Sequence, residues 1–466
     1  MNFREAEQVV EEWRALEARA LRVRDALPAA HRDAYYQLVL HAIVAAANLH
    51  DLYVTVARNR LYALQGRAST NVLAERARRL FDRDAEITRY YNDTLAGGKW
   101  SHMMDQTHIG YTYWQEPPRN VMPRVDVIQV PATSEMGVAV VEVNRPAPPR
   151  RPGPGGPPPG FFGRPPELPP FDPYLQQRWH LDVYNRGSRP FEFSVSASEP
   201  WVIVTPARGT VTLEQRVAVS IDWSRVPAGT HRATVTIAGP NESRSVVQVP
   251  VFNPATPRPD VVTGFVQGNG VVSMEAEHAS RIVDGRDARW QRIPDLGKTL
   301  SGMTILPTTV APQAPGAGPR LEYDMFLFDS GTVKVHAYVS PSHDVLGIGG
   351  MTYAVAIDDE APQLVNVHAD SSSNGRTDGN RAWEQSVANN VKVLVSEHRV
   401  ARPGAHTLKL WAVDPGVVLQ KIVVSPTDLP ATYLGPPESY NRALRQPAVT
   451  PAGAPRATTS PRRNGS

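Results

Sequence analysis

A run of prolines and glycines over residues 146–170 divides the chain more sharply than any other feature. Proline has no amide hydrogen and a fixed φ, so such a run enters neither a helix interior nor a central strand. It reads as a semi-rigid spacer with polyproline II character. The pattern of apolar residues differs on its two sides. Before it the period is that of a helix, and after it the period is two. The chain has 466 residues, which at about 150 residues per domain predicts roughly three domains.

Between Glu5 and Ala96 the period of 3.6 dominates. Val9, Trp13, Leu16, Ala20 and Val23 mark one face of a first helix that Pro28 ends. Tyr35 to Val56 predicts a second helix, apolar almost all round and therefore expected to be the buried one. Leu73, Ala77, Leu80, Phe81, Ile87 and Tyr91 mark a third, which Gly97-Gly98 should stop. Beyond the spacer, Trp179, Leu181 and Val183, then Phe191, Phe193 and Val195, alternate with polar residues around the turn Asn185-Arg186-Gly187. Val217–Ile221 and Ala233–Ile237 continue this pattern in a small β-sandwich. After a second proline cluster, Pro250 to Pro259, come Val333–Val339, Tyr353–Ile357, Leu364–Val367, Val391–Val395 and Leu408–Trp411, the strands of a larger sandwich.

The expected fold class is thus multidomain α plus all-β, an N-terminal helix bundle followed by two β-sandwich domains. The expected division is a bundle with its loop at 1–125, an extended segment and proline-rich linker at 126–170, a small sandwich at 171–252 and a C-terminal sandwich at 260–436. Residues 437–466 hold few aromatic side chains to bury and are expected to be a disordered tail.

Composition excludes several chemistries. Cys is 0, which removes disulfides, thiolate metal sites and a cysteine nucleophile. The net charge of +3 reflects an arginine surplus without a basic stripe, so no nucleic-acid partner is expected. No phosphate-binding glycine loop stands at a strand-to-helix junction, and no Gly-x-Ser-x-Gly elbow is present. No cofactor is expected. Charged residues near Met1 replace the apolar core of an export signal. No uninterrupted apolar run approaches the length of a membrane span, roughly 18 residues. The expectation is a soluble chain without a membrane partner, its compartment left open.

The densest functional vocabulary lies at Gly97 to Pro123. There Trp100, Tyr111, Tyr113 and Trp114 alternate with His102, Asp105 and His108. Aromatic faces stack on the C–H faces of pyranoses while imidazoles and carboxylates bond hydroxyls, so these seven residues are carbohydrate-contact candidates. The alternative is a loop whose aromatic side chains anchor it to the bundle or a neighbouring domain. The spacing of His102, Asp105 and His108 places at most two on one helical face, which disfavours a metal site. Asp105 and Glu116 would need to face each other across ~5–10 Å to act as acid and base. Glu275 and Glu277, on one face of an expected strand, present two hard oxygens of the kind calcium takes, against the alternative of a solvated edge. Trp290, Tyr338, Tyr353, Trp383 and Trp411 read as sandwich core, and Asp358-Asp359-Glu360 as a charged hairpin turn.

Several stretches together resemble the C-terminal half of glycoside hydrolase family 115, the xylan α-1,2-glucuronidases. They are Tyr35-Tyr-Gln-Leu-Val-Leu-His, Ala57-Arg-Asn-Arg-Leu-Tyr-Ala with Gln65-Gly-Arg-Ala, Tyr90-Tyr-Asn-Asp-Thr-Leu-Ala-Gly-Gly-Lys-Trp, His102-Met-Met-Asp-Gln-Thr-His-Ile-Gly-Tyr-Thr-Tyr-Trp-Gln-Glu-Pro-Pro, Trp290-Gln-Arg-Ile-Pro-Asp-Leu-Gly and Val413-Asp-Pro-Gly-Val-Val-Leu-Gln-Lys. The resemblance runs from about residue 5 to about residue 438. It implies an enzyme whose inverting removal of (4-O-methyl)glucuronic acid uses carboxylates of a barrel that precedes the bundle. Those carboxylates have no matching position in this chain, so catalytic residues are not assigned. The implied role is carbohydrate binding or domain support, with glucuronoxylan or a related polysaccharide as partner, beside a separately encoded catalytic barrel or a homodimer mate. A standalone carbohydrate-binding or scaffold protein is the alternative, and an active glycosidase a second one. Family relatives are often secreted or periplasmic. The middle sandwich is similar to BACON-type modules at Asn185-Arg-Gly, Ser196 to Trp201 and Val219 to Gly229. The last domain looks like family 6 or 35 carbohydrate-binding modules at Glu275-Ala-Glu277, with Gln420 where those families carry a calcium-binding Asp.

Overall fold

The computed structural model describes residues 2–110, 117–143, 166–369 and 377–445. Helices fill the N-terminal part and antiparallel sheets the rest, the α plus all-β class expected from the change of period. Contacts divide the chain into two units, one reaching Ala255 and completed by Leu429–Pro437, the other spanning Thr256–Asp428 and resuming at Glu438.

In the first unit α1 covers Glu5–Ala26 and stops before Pro28. The second helix is longer than the apolar run predicts: α2 (Ala29–Tyr35), a π-helical turn at Tyr36–Leu40 and α3 (His41–Gln65) follow one another without a break. By length and composition the run from Ala29 to Gln65 is long and apolar enough to cross a membrane, although Gln37, His41, Asn48 and Asp51 interrupt it and no uninterrupted apolar run of that length occurs in it. Here it lies in a protein bundle. Leu52 and Val56 pack with Ala77 and Leu80 of α4 (Thr70–Arg89), and Leu40 and Val44 with Ala20 of α1. The helix is not buried all round, because Leu38, Val39, Tyr53 and Leu64 remain exposed, as do Leu16 and Val23 of the stripe on α1. A second π-helical turn, Tyr90–Thr94, extends α4. Gly97 and Gly98 then end the helical run at φ 69° and φ 81°, a conformation that costs glycine little.

Two asparagines give the extended segment after Pro117 the partners of a sheet. Asn59 donates to the Asp126 carbonyl at 2.9 Å and accepts from its amide at 2.7 Å, and Asn71 does the same for Ile128 at 3.0 Å in each direction. The small sandwich that follows has two sheets. One is ordered β1 (Met136–Val140), β2 (Trp179–Asn185), β6 (Glu214–Ile221), β4 (Val202–Thr205). The other is ordered β5 (Arg208–Val211), β3 (Phe191–Ala197), β7 (Gly229–Ala238), β8 (Arg244–Asn253). Leu168 and Phe171 are fully buried in its core, so the structured chain resumes inside the stretch read as linker, with Leu168 as the apolar side chain among Pro166, Pro169 and Pro170. In the β2–β3 turn the Cα of Gly187 passes so near the Thr133 carbonyl that an added Cβ would lie 1.9 Å from its oxygen. Leu429–Pro437 closes the unit, gripped by the buried carboxylate of Glu5, which accepts from the amides of Tyr433 (2.9 Å) and Leu434 (3.0 Å) and from the Thr432 hydroxyl.

The second unit is the larger sandwich. One sheet is ordered β12 (Arg289–Ile293), β13 (Gly302–Leu306), β20 (Leu419–Ser425), β15 (Gly331–Val339), β18 (Lys392–Val400), with β10 (Val272–Glu275) on β20. The other is ordered β11 (Arg281–Val283), β14 (Arg320–Leu327), β19 (Gly404–Ala412), β16 (Thr352–Ile357), β17 (Gln363–Asn366), with β9 (Phe265–Val266) parallel to β14. Tyr353 lies in the core between them; Tyr338 and Trp411 are buried elsewhere, whereas Trp290 and Trp383 are only half-buried, short of the expected core positions. The expected tail is corrected over Glu438–Asn441. The Ser439 hydroxyl accepts from the Ser273 amide at 2.9 Å and the Tyr440 hydroxyl donates to the Pro259 carbonyl at 2.9 Å, polar groups that composition alone did not pair. Residues 446–466 lie outside the described residues.

Candidate functional site

The two π-helical turns meet. Each begins with a tyrosine, and the rings of Tyr36 and Tyr90 pack edge to face at 4.7 Å, while those of His41 and Tyr91 meet at 4.5 Å with their planes tilted by 54°. Such turns widen a helix by one residue and are frequent at functional sites. Burial pushes the Tyr36 hydroxyl up to about 12, the neighbouring Tyr90 adding to the shift. Burial also lowers the pKa of His41, whose Nδ1 is enclosed with no hydrogen-bond partner, and His108 opposes its protonation further while Asp84 favours it.

The loop Gly97–Pro123 is built onto this end of the bundle. Ile109 plugs the core among Leu52, Val56 and Leu80, and its carbonyl accepts from the Val121 amide at 3.1 Å. Asn120 accepts from the amides of His108 (2.7 Å) and Ile109 (2.9 Å), closing the base of the loop. Nε2 of His108 lies 2.9 and 3.0 Å from the two oxygens of Asp84 on α4, and Nδ1 lies 3.1 Å from the Gln106 carbonyl. Both ring nitrogens face acceptors, so the geometry favours the imidazolium, and the bond to Asp84 raises the His108 pKa. Nearer the surface Asn92 accepts from the Met104 amide and donates to Asp105 at 2.7 Å, and Asp105 holds His102 Nδ1 at 2.6 Å, which raises the His102 pKa.

Of the seven carbohydrate-contact candidates, the structure thus brings Trp100, His102 and Asp105 to the surface, Trp100 half-buried beneath the Lys99 ammonium at 4.9 Å. His108 turns inward to Asp84. Tyr111, Tyr113, Trp114 and the acid–base candidate Glu116 lie outside the described residues. His102, Asp105 and His108 do not converge, and among the described residues no group of three or more His, Asp or Glu side chains is placed to hold a metal. Asp84 lies outside the sequence motifs, whereas His41 and Asn92 stand within them and Asn120 within the loop Gly97–Pro123, none of the three being a site candidate. Asp84 had a signal: it follows the apolar series Leu73, Ala77, Leu80 along α4, and a buried charge on a core stripe needs a partner. A partly accessible Trp100 offers a ring that can stack on polyhydroxylated ligands, and the hydrogen-bonded His102–Asp105 pair two residues on offers polar groups that can bond to them.

The calcium reading of the second unit does not fit its residues. Strand β10 ends at Glu275, and Glu277 sits on the 3-10 turn Ala276–His278, so the two carboxylates do not share a strand face as expected. Glu275 Oε1 accepts from Lys421 Nζ at 3.0 Å and Thr299 Oγ1 at 2.7 Å, the lysine and glutamate side chains both nearly sealed from solvent. Oε2 is enclosed and makes no hydrogen bond. Glu277 is held by Arg292 at 3.2 Å, and the Gln420 amide is spent on Lys298, Ser340 and Asn390. Calcium takes six to eight oxygens, whereas this position is occupied by an ammonium group.

Residues 264–438 match the model of the glycosyl hydrolase family 115 C-terminal domain. No curated protein matches the chain. Among solved structures, a family GH115 4-O-methyl-α-glucuronidase with specificity for decorated arabinogalactans aligns with 92% of this chain at 14% identity and a TM-score of 0.46, and this chain covers 34% of that one. The C-terminal family 6 carbohydrate-binding module of a marine laminarinase from Zobellia galactanivorans aligns over 33% of this chain and 98% of its own, at 13% identity and a TM-score of 0.21. A family 35 module from Clostridium thermocellum aligns over 33% of this chain and 97% of its own, at 12% identity and a TM-score of 0.23. The match to the glycosyl hydrolase family 115 C-terminal domain thus falls on a stretch that includes most of the second unit.

Proposed function

We propose that this chain is the carbohydrate-contacting, non-catalytic portion of a xylan α-1,2-(4-O-methyl)glucuronidase. The family match over residues 264–438 supports a carbohydrate-related role. The observation that carries the finer reading is the convergence of three separate motif stretches on one end of the bundle, Tyr36 of the first, Tyr90 to Asn92 of the second and His102 to Ile109 of the third. The polysaccharide would lie on Trp100 and the His102–Asp105 pair. Asp105 is bonded to Asn92 and His102, which leaves it a positioning partner of the imidazole. In this reading the acid and base of hydrolysis are carboxylates other than Asp105.

Affinity electrophoresis of the full chain through 4-O-methylglucuronoxylan, with arabinogalactan as a second gel, tests the contact. Retardation that Trp100→Ala abolishes, without change in far-UV circular dichroism, supports it. Unchanged migration of wild type and variant alike overturns it. Release of glucuronic acid from the xylan by the purified chain alone would overturn the non-catalytic assignment.

A further inference from the structure

A cavity lies within the first unit, away from the loop. It encloses about 370 Å³ between Arg4 and Glu7, the α3 residues from Tyr53 to Gln65, Val140 to Val143, and Asp182. That is the size of a small-molecule site. Ala57, Arg58, Leu61 and Tyr62 of one motif stretch and Gln65 and Arg67 of the next line it, and the contact surface at Trp100 does not use them.

Three guanidiniums, those of Arg4, Arg58 and Arg67, line this space against two carboxylates, those of Glu7 and Asp182. Glu7 bridges Arg58 and Arg4 at 2.8 Å each. Asp182 binds Arg67 at 3.1 Å and Arg216 at 2.9 Å, and Arg67 also reaches Glu214 at 3.2 Å. Including Arg216 and Glu214 leaves one positive charge unmatched. The further carboxylate in reach, Glu11, stands 3.8 Å from Arg4 with a side chain 69% exposed. Water and salt screen a charge in that position. Arg58 bonds Glu7 through Nη2, and no hydrogen bond to its Nη1 or Nε, to the Gln65 amide nitrogen or to the exposed Tyr53 hydroxyl occurs among the described residues. Val54, Ala57, Leu61, Val140 and Val143 supply an apolar wall. A ligand for this cavity bears one carboxylate, further hydroxyls and an apolar face.

We infer that the cavity is a binding site for a uronic acid, its carboxylate on Arg58 and Arg4 in competition with Glu7, its hydroxyls on Tyr53 and Gln65 and its C–H face on the valine wall. This goes beyond the surface at Trp100 and does not depend on it.

Titration of the full chain with sodium D-glucuronate, followed by calorimetry, tests the site, with D-glucose and sodium benzoate as controls. Saturable glucuronate binding is expected, with both controls weaker by about tenfold or more, the value of one charge-assisted hydrogen bond or of the lost hydroxyl contacts. Glu7→Gln removes the competing carboxylate and should tighten glucuronate binding, an effect a purely structural Glu7 would not produce. Arg58→Gln should weaken it, and Tyr53→Phe, at an exposed position, does so if Arg58→Gln fails to fold. Absence of saturable binding, glucose or benzoate binding as tightly as glucuronate, or no tightening in Glu7→Gln overturns the inference. Xylan retardation that Trp100→Ala abolishes and Arg58→Gln preserves distinguishes this site from the loop.

Discussion

Arg67, in the turn between α3 and α4, donates from Nη1 to Asp182 of β2 at 3.1 Å, and both side chains are almost completely enclosed. The same guanidinium lies between two tyrosine rings, 3.9 Å from the centroid of Tyr62 and 4.2 Å from that of Tyr184, and its Nε donates to Gln65 at 2.6 Å. A planar cation thus joins the bundle to the small sandwich by stacking and by hydrogen bonding at once, a combination lysine does not reproduce.

Arg67→Ala leaves Asp182 buried with Arg216 as its remaining partner and empties the space between the rings. The expected loss is about 3–5 kcal/mol of stability of the first unit, with Arg67→Lys recovering only part of it. Urea unfolding followed by circular dichroism measures both.

Asn59 is fully buried and bonds the Thr70 carbonyl as well as both backbone groups of Asp126. Asn59→Ala removes the partner of the Asp126 amide and of the Thr70 and Asp126 carbonyls, for an expected cost of about 2–4 kcal/mol. Limited proteolysis should cut the segment around Asp126 faster in the variant than in wild type, and equal rates would show that the segment is held by other contacts.

The His108–Asp84 pair makes stability depend on pH. Its bond to Asp84 raises the folded-state pKa of His108 above the ordinary 6.5. The stabilisation is therefore complete below about pH 6.5 and is lost as pH rises through the raised value. His41 has the opposite sign, because burial lowers its pKa below 6.5. The stability it contributes is present above about pH 6.5 and is lost as pH falls through the lowered value. Thermal melts of His108→Gln and wild type across about pH 5–9 should differ most at the acid end and converge at the alkaline end. A difference independent of pH would mean that His108 acts through packing alone.

Because Lys421 supplies the positive charge beside Glu275, neither calcium chloride nor a chelator should move the unfolding transition of the chain in scanning calorimetry. Lys421→Met strands a buried carboxylate and should cost about 3 kcal/mol or more. A calcium-dependent rise in the wild-type midpoint would show that the ammonium group does not exclude the ion.

Local physics made much of this architecture legible. The switch from a helical to a two-residue period is a property of neighbouring side chains, and it delivered the helix order, strands β2, β3, β6, β7 and β15 to β19 and the stops at Pro28 and Gly97-Gly98. The motif stretches near Trp100 stood out for the same reason, being rich in chemistry over a short span. What only the tertiary structure decided involves partners far apart in the chain: His108 facing Asp84 instead of Asp105, Arg67 reaching Asp182, Lys421 neutralising Glu275, and the π-helical turns that bring Tyr36 against Tyr90. A charge buried on folding must find an opposite charge in three dimensions, and no spacing rule along one strand or helix specifies which distant residue will be there.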